Sequence, residues 1–204
     1  MSQAEERRSG NKGWAHARLP QLALEAASVI FAVLVALAVD EWRGERANHE
    51  VAVRALTGIA KEIEVNLDEL RDTHDENGRF LARLDSAASM NAGRTSAGFE
   101  YALLSASAWE TAQITRATSY VDYDLVQSLA RTYELQSLFI ENQRVMVDLI
   151  AGGRLSATPT DAVPTALSSR LRVILQLGDG LKDGYGEALE AIRSNADKRP
   201  AGAP

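Results

Sequence analysis

A chain of 204 residues allows one domain with a real core plus short flanking elements. Its formal charge of −6, with 22 Lys and Arg in no run longer than the Arg7-Arg8 pair, argues against a nucleic-acid partner. It has no cysteine, which excludes disulfides, thiolate catalysis and cysteine-bound metal, and its three histidines (His16, His49, His74) are too few and too separated for a metal site.

In chain order, residues 1–18 are a polar, basic leader expected to be disordered. Residues 19–42 follow, reading LPQLALEAASVIFAVLVALAVDEW. The apolar run from Leu19 to Val39 has the length of a bilayer span and contains one charge, Glu25. Its uninterrupted part, Ala26 to Val39, covers only about 21 Å of a ~30 Å hydrocarbon core. A span must therefore recruit Leu22, Ala23 and Leu24, placing Glu25 near one membrane face. Arg18 and Glu25 then mark one interface, Trp42 and Arg43 the other. A retained transmembrane helix is the leading reading. A cleaved signal peptide, with Ala36-Leu37-Ala38 as an A-x-A site, is the second, and would leave a secreted helical protein. A buried helix of a soluble protein is the third. Arg7, Arg8, Lys12 and Arg18 before the run outnumber Arg43, Arg46 and Arg54 after it. The expected topology is a cytoplasmic N-terminus with the body outside, periplasmic in a Gram-negative cell.

Residues 43–195 read as a helical bundle. Ala52, Leu56, Ile59, Ile63, Leu67, Leu70, Leu81, Leu84 and Ala88 step mostly by three and four between charged positions. No proline lies between Pro20 and Pro159, so the membrane helix is expected to continue into the body, with Asn77-Gly78 as its weakest point. Met90 to Gly98 is a small-residue loop, followed by a predicted short helix around Tyr101–Ile114. A longer helix carries Leu125, Leu129, Tyr133, Gln136, Ile140 and Val147 and is expected to end at Gly152-Gly153. After a loop from Ser156 to Pro164, a last helix carries Leu167, Leu171, Ile174, Leu181, Tyr185, Leu189 and Ile192. Residues 196–204 read as a disordered tail. The fold class is all-α: one N-terminal transmembrane helix continuing into a long helix, packed with about three others as an antiparallel bundle.

Few constellations suggest chemistry. Asp72, His74, Asp75 and Glu76 read best as a solvated helix face. Trp109, Glu110 and Arg116 are a candidate pocket, with a core tryptophan and rim charges as the simpler account. Tyr120, Asp122, Tyr123 and Asp124 sit where a helix should begin, so the acidic groups are expected to cap it. Gly178, Gly180, Gly184 and Gly186 fit no phosphate-loop spacing and signal either a close helix approach or a local break. No catalytic set, cofactor site or metal site is recognised.

Three further pieces carry a family likeness: Leu24-Glu25 at the entrance, Val39-Asp40-Glu41-Trp42-Arg43 at the exit, and the charged helix through Leu70. With Trp109-Glu110 and the later Leu129, Tyr133 and Gln136, they resemble a large group of uncharacterised bacterial single-pass membrane proteins. That resemblance implies a membrane anchor with a helical body, and no reaction. The expected function is a non-enzymatic, inner-membrane interaction module with a protein partner or a second copy, and lipid around residues 19–42. A ligand-binding or sensory bundle is the alternative, and an enzyme is third.

Overall fold

The computed structural model describes the backbone of residues 19–89, 98–155 and 162–198, with side chains over 24–25, 27–86, 98–152 and 165–196. The leader, Arg18, residues 90–97 of the predicted small-residue loop, residues 156–161 and the end of the tail lie outside the described residues. Four α-helices account for nearly all the rest: α1 (Leu19–Ser89), α2 (Ser107–Ile114), α3 (Tyr123–Leu155) and α4 (Ala162–Lys198). The chain divides into two units, Met1–Glu50 and Val51–Pro204.

In the first unit the backbone from Leu19 is helical, as the absence of proline after Pro20 allows. Every described side chain from Ala27 to Val39 is exposed, including Val29, Ile30, Phe31 (68%), Leu34 and Leu37. Successive helical side chains are rotated by about 100°, so this apolar surface runs all the way round. Among the described residues, however, no helix is long and apolar enough to cross a membrane, which departs from the span expected over 19–42. The physical reason is length: the run between Glu25 and the charges Asp40, Glu41 and Arg43 rises only about 21 Å.

The second unit is built around the predicted stripes. Leu56, Ile59, Ile63, Leu67, Leu70 and Leu84 of α1 are buried against Leu125, Leu129 and Tyr133 of α3 and Leu171, Ile174, Leu181 and Tyr185 of α4 in one core cluster. Val147 is exposed, and Gln143 and Met146 occupy the core positions beside it. Asp122 caps α3 as expected, its carboxylate accepting from the N–H groups of Asp124 (3.0 Å) and Leu125 (3.3 Å).

Cross-contacts fix the directions. Between α1 and α4, Asp85 pairs with Arg172, His74 with Asp179 and Glu64 with Arg193, so one number rises as the other falls: the two helices are antiparallel. The same holds for α3 and α4, where Gln136 meets Tyr185 and Asn142 meets Arg170. It follows that α1 and α3 are parallel, as alternate helices of an antiparallel bundle are. The cause is the segment between them. Residues 98–106 are not helical, so the predicted helix around Tyr101–Ile114 shrinks to α2. Asn77 bonds to Glu100 and Asn66 to Ser105. The 11 helical residues from Asn66 to Asn77 rise about 16 Å, and five residues from Glu100 to Ser105 cover it at about 3.3 Å each, the rise of a β-strand. The chain thus returns along α1 as an extended strap, and α3 then repeats the direction of α1.

Two further expectations change. Asn77-Gly78 does not interrupt α1, because the Asn77 side chain turns inward to the strap instead of competing for its own helix backbone. Gly152-Gly153 lies inside α3, which runs on to Leu155. The glycines of α4 make no break, and of the four only Gly178 marks a close approach: a Cβ there would stand 3.1 Å from His74 Nδ1 and 3.4 Å from Phe139.

Candidate functional site

The densest chemistry of the second unit surrounds the strap. An extended segment exposes N–H and C=O groups on both edges, and inside a protein each needs a partner. Among the described residues no strand pairs with this one. Side-chain amides, each carrying a donor and an acceptor, take that place. From α1, Asn77 donates to Glu100 O and accepts from Glu100 N, both at 2.9 Å. Asn66 does the same at Ser105, at 2.7 and 2.9 Å. From α3, Gln143 accepts from Ala102 N at 2.8 Å and donates to Ala102 O at 3.2 Å. Gln136 adds a second donor to Ser105 O at 3.0 Å and accepts from the Tyr185 hydroxyl of α4 at 2.8 Å. All four amide residues are buried, and among the described residues no buried side-chain nitrogen or oxygen lacks a partner.

Carboxylates serve where only donors face them. Glu69 accepts from Leu103 N at 3.1 Å. Glu62, partly buried on α1, accepts from the hydroxyls of Ser105 (2.8 Å), Ser107 (3.0 Å) and Tyr133 (2.7 Å), and from Ala108 N (2.8 Å) at the start of α2. Burial pushes the Glu62 carboxyl upward, but the Ala108 N–H and the three hydroxyls outweigh it and hold the group below its ordinary range. Tyr133 moves the other way, raised by burial and by the neighbouring Glu62 charge, and Tyr185 is raised chiefly by burial. Both tyrosines therefore stay protonated and act as donors. Such a set recognises backbone and hydroxyl groups and offers no activated nucleophile.

The residues expected to form a pocket are not brought together. Trp109 is in the core (7% exposed), stacked on Tyr133 at 5.4 Å between ring centroids with the two rings nearly parallel. Glu110 and Arg116 are exposed, and Arg116 takes a left-handed conformation (φ 58°) that turns the end of α2 into the 3₁₀ turn Ala117–Tyr120. Of the expected membrane-interface residues, Glu25, Trp42 and Arg43 are exposed, and the Arg46 guanidinium lies 5.9 Å from the Trp42 ring centroid. Asp72, Asp75 and Glu76 face outward. His74 is half-buried on Gly178, its Nε2 3.3 Å from Asp179, and burial followed by the Lys182 charge lowers its pKa. Among the described residues, no group of three or more His, Cys, Asp or Glu could hold a metal ion.

Asn66, Asn77 and Gln143 are the residues that hydropathy reading passes over. Spacing was the available signal: 66 and 77 are 11 residues apart and 136 and 143 are seven apart, close to whole helical turns, so each pair lies on one inward face. In comparisons with known proteins, no family model, curated protein or solved structure matches the chain.

Proposed function

We propose that this chain is a single-pass, membrane-anchored helical protein whose bundle is a non-enzymatic protein-interaction module. The observation that carries the reading is the apolar surface from Ala27 to Val39, exposed on every side of its helix. A helix apolar all round belongs in a protein core or in lipid. The described stretch is too short alone, but the sequence adds Leu22 to Ala26 before it, and Leu22 to Val39 rises about 27 Å. Its eight Val, Ile, Leu and Phe residues from Val29 to Val39 favour insertion by about 2–5 kcal/mol in total. Trp42 and Arg43 follow at the water interface, and the basic leader favours a cytoplasmic N-terminus with the bundle outside the inner membrane. Donor sets tied up in holding a strap, and a tryptophan stacked in the core, support interaction over ligand turnover.

Carbonate washing of membranes, with reporter fusions at both ends and sequencing of the mature N-terminus, tests the anchor. The expected result is a wash-resistant protein with an intact leader and an external C-terminus. Release by carbonate, or a mature chain beginning after Val39, refutes it. A crosslinking pull-down tests the module, with a recurring partner or a homo-oligomer expected; monomer alone refutes it.

A further inference from the structure

The strap is held by its backbone far more than by its side chains. Of Glu100 to Ser105 only Ala102 is buried, while Leu103 is 78% exposed. Asn66, Asn77, Gln136, Gln143, Glu62 and Glu69 grip it from two parallel helices. This arrangement is that of a receptor for an extended peptide, already filled by a segment of the same chain. Its demands are specific: backbone pairs at three residues spaced 0, +2 and +5, a small residue at the +2 position where Ala102 is fully enclosed, and a hydroxyl at +5 for Glu62.

We propose that the groove between α1 and α3 is an extended-peptide binding site, and that its partner in trans is the Glu100–Ser105 strap of a second copy. Exchange of identical straps leaves every hydrogen bond in place, so it costs little beyond association, and this is the low-cost route to dimers. A second copy supplies the alanine, the serine and the following α2 N-terminus in the right register, which an unrelated segment must match by sequence. The proposal rests on the interaction-module reading and names its partner.

The test uses the full chain, whose lack of cysteine makes introduced thiols unique. Glu69 Oε1 lies 3.1 Å from Leu103 N, so Glu69→Cys and Leu103→Cys report strap seating through a short bismaleimide. Two tagged chains, one with each substitution, are co-expressed in membranes. The expected product is a crosslinked dimer carrying both tags, at least about tenfold above a control pair of Leu103→Cys with Glu187→Cys, a gain within the reach of effective concentration. Glu187 is exposed and two residues beyond Tyr185, on the opposite side of α4. A chain carrying both substitutions that crosslinks internally, beside a mixed pair no better than the control, overturns strap exchange. Failure of the doubly substituted chain to crosslink either internally or to a second copy overturns the groove itself. Capture of a different protein by Glu69→Cys overturns the second-copy assignment. Sedimentation of the unmodified chain in mild detergent gives a second readout: a dimer is expected, and a strict monomer overturns the proposal. A recurring foreign partner in the pull-down with no mixed dimer sinks this inference and leaves the interaction-module reading standing.

Discussion

Replacing Gln143 by leucine isolates what one buried amide contributes. Gln143 is completely buried, and its two bonds, 2.8 and 3.2 Å, go to the N–H and C=O of Ala102, itself fully buried. Leucine is of similar size, so little cavity opens and the effect falls on the backbone. Each orphaned group costs about 1–3 kcal/mol, roughly 2–6 for the pair. Removing the buried amide itself returns about 1–3 kcal/mol. The net expectation is a loss of about 1–3 kcal/mol, a sizeable share of the ~5–15 kcal/mol that holds a domain together. Denaturant unfolding of the full chain in detergent, followed by circular dichroism, measures it. Gln127→Leu is the control: it makes the same change on the same helix at an exposed position, and should stay within about 0.5 kcal/mol. Hydrogen exchange should localise the damage, with the Ala102 amide losing protection before the α3 core does. If Gln143→Leu matches Gln127→Leu, the amide-clamp account is wrong.

Other substitutions probe the remaining features. Glu62 has a folded pKa below its ordinary value of 4.5, so its contribution is present above that value and is lost as pH falls through the lowered one. Glu62→Gln should therefore flatten the acid limb of the stability–pH curve relative to wild type, and an unchanged limb rejects the assignment. Phe31→Arg exchanges a favourable ~0.3–0.6 kcal/mol for a cost of ~2.5–3.5, which cancels most of the insertion energy. The wash-resistant fraction should fall sharply, while Phe31→Leu should retain it; equal retention of both defeats the membrane reading. Gly186→Ala, at an exposed helical site with open space around it, should stabilise by up to ~1 kcal/mol. Gly178→Ala must push on His74 and Phe139, so its thermal midpoint should lie below that of Gly186→Ala. The reverse order would mean that this close approach is not tight.

The helices were legible because burial follows a 3.6-residue period. Leu56, Ile59 and Ile63, or Leu171, Ile174 and Leu181, announce their face without tertiary information. The strap was not legible for the opposite reason. Tyr101, Ala102, Leu103 and Leu104 are acceptable helix residues, and local propensity assigns them to one. What holds them extended lies 23 to 41 residues away, in Asn77, Asn66 and Gln143. Val147 and Gln143 show the same limit from the other side. A hydropathy stripe selects the valine, yet the glutamine is the one inside, because its amide meets a backbone residue that only the fold delivers.

The polar core and the parallel arrangement of α1 and α3 explain each other. Two consecutive long helices can run the same way only if the chain first travels back between them. Extended backbone makes that journey in about half the residues a helix needs, since it rises ~3.3 Å per residue against 1.5 Å. The cost is a buried segment with open hydrogen-bonding edges and no neighbouring strand. Aspartate or glutamate can only accept, and serine reaches too short a distance to hold N–H and C=O together. Asparagine and glutamine alone among the neutral side chains offer an acceptor and a two-hydrogen donor from one planar group. Placing them 11 residues apart on α1 and seven apart on α3 returns each pair to the same helical face, spaced to reach successive strap residues. Glu62 then occupies a place where donors alone converge, the serine hydroxyls and the start of α2. The amides are thus what makes this topology possible without a sheet, and any change that removes them acts on the path of the chain before it acts on the packing of the helices.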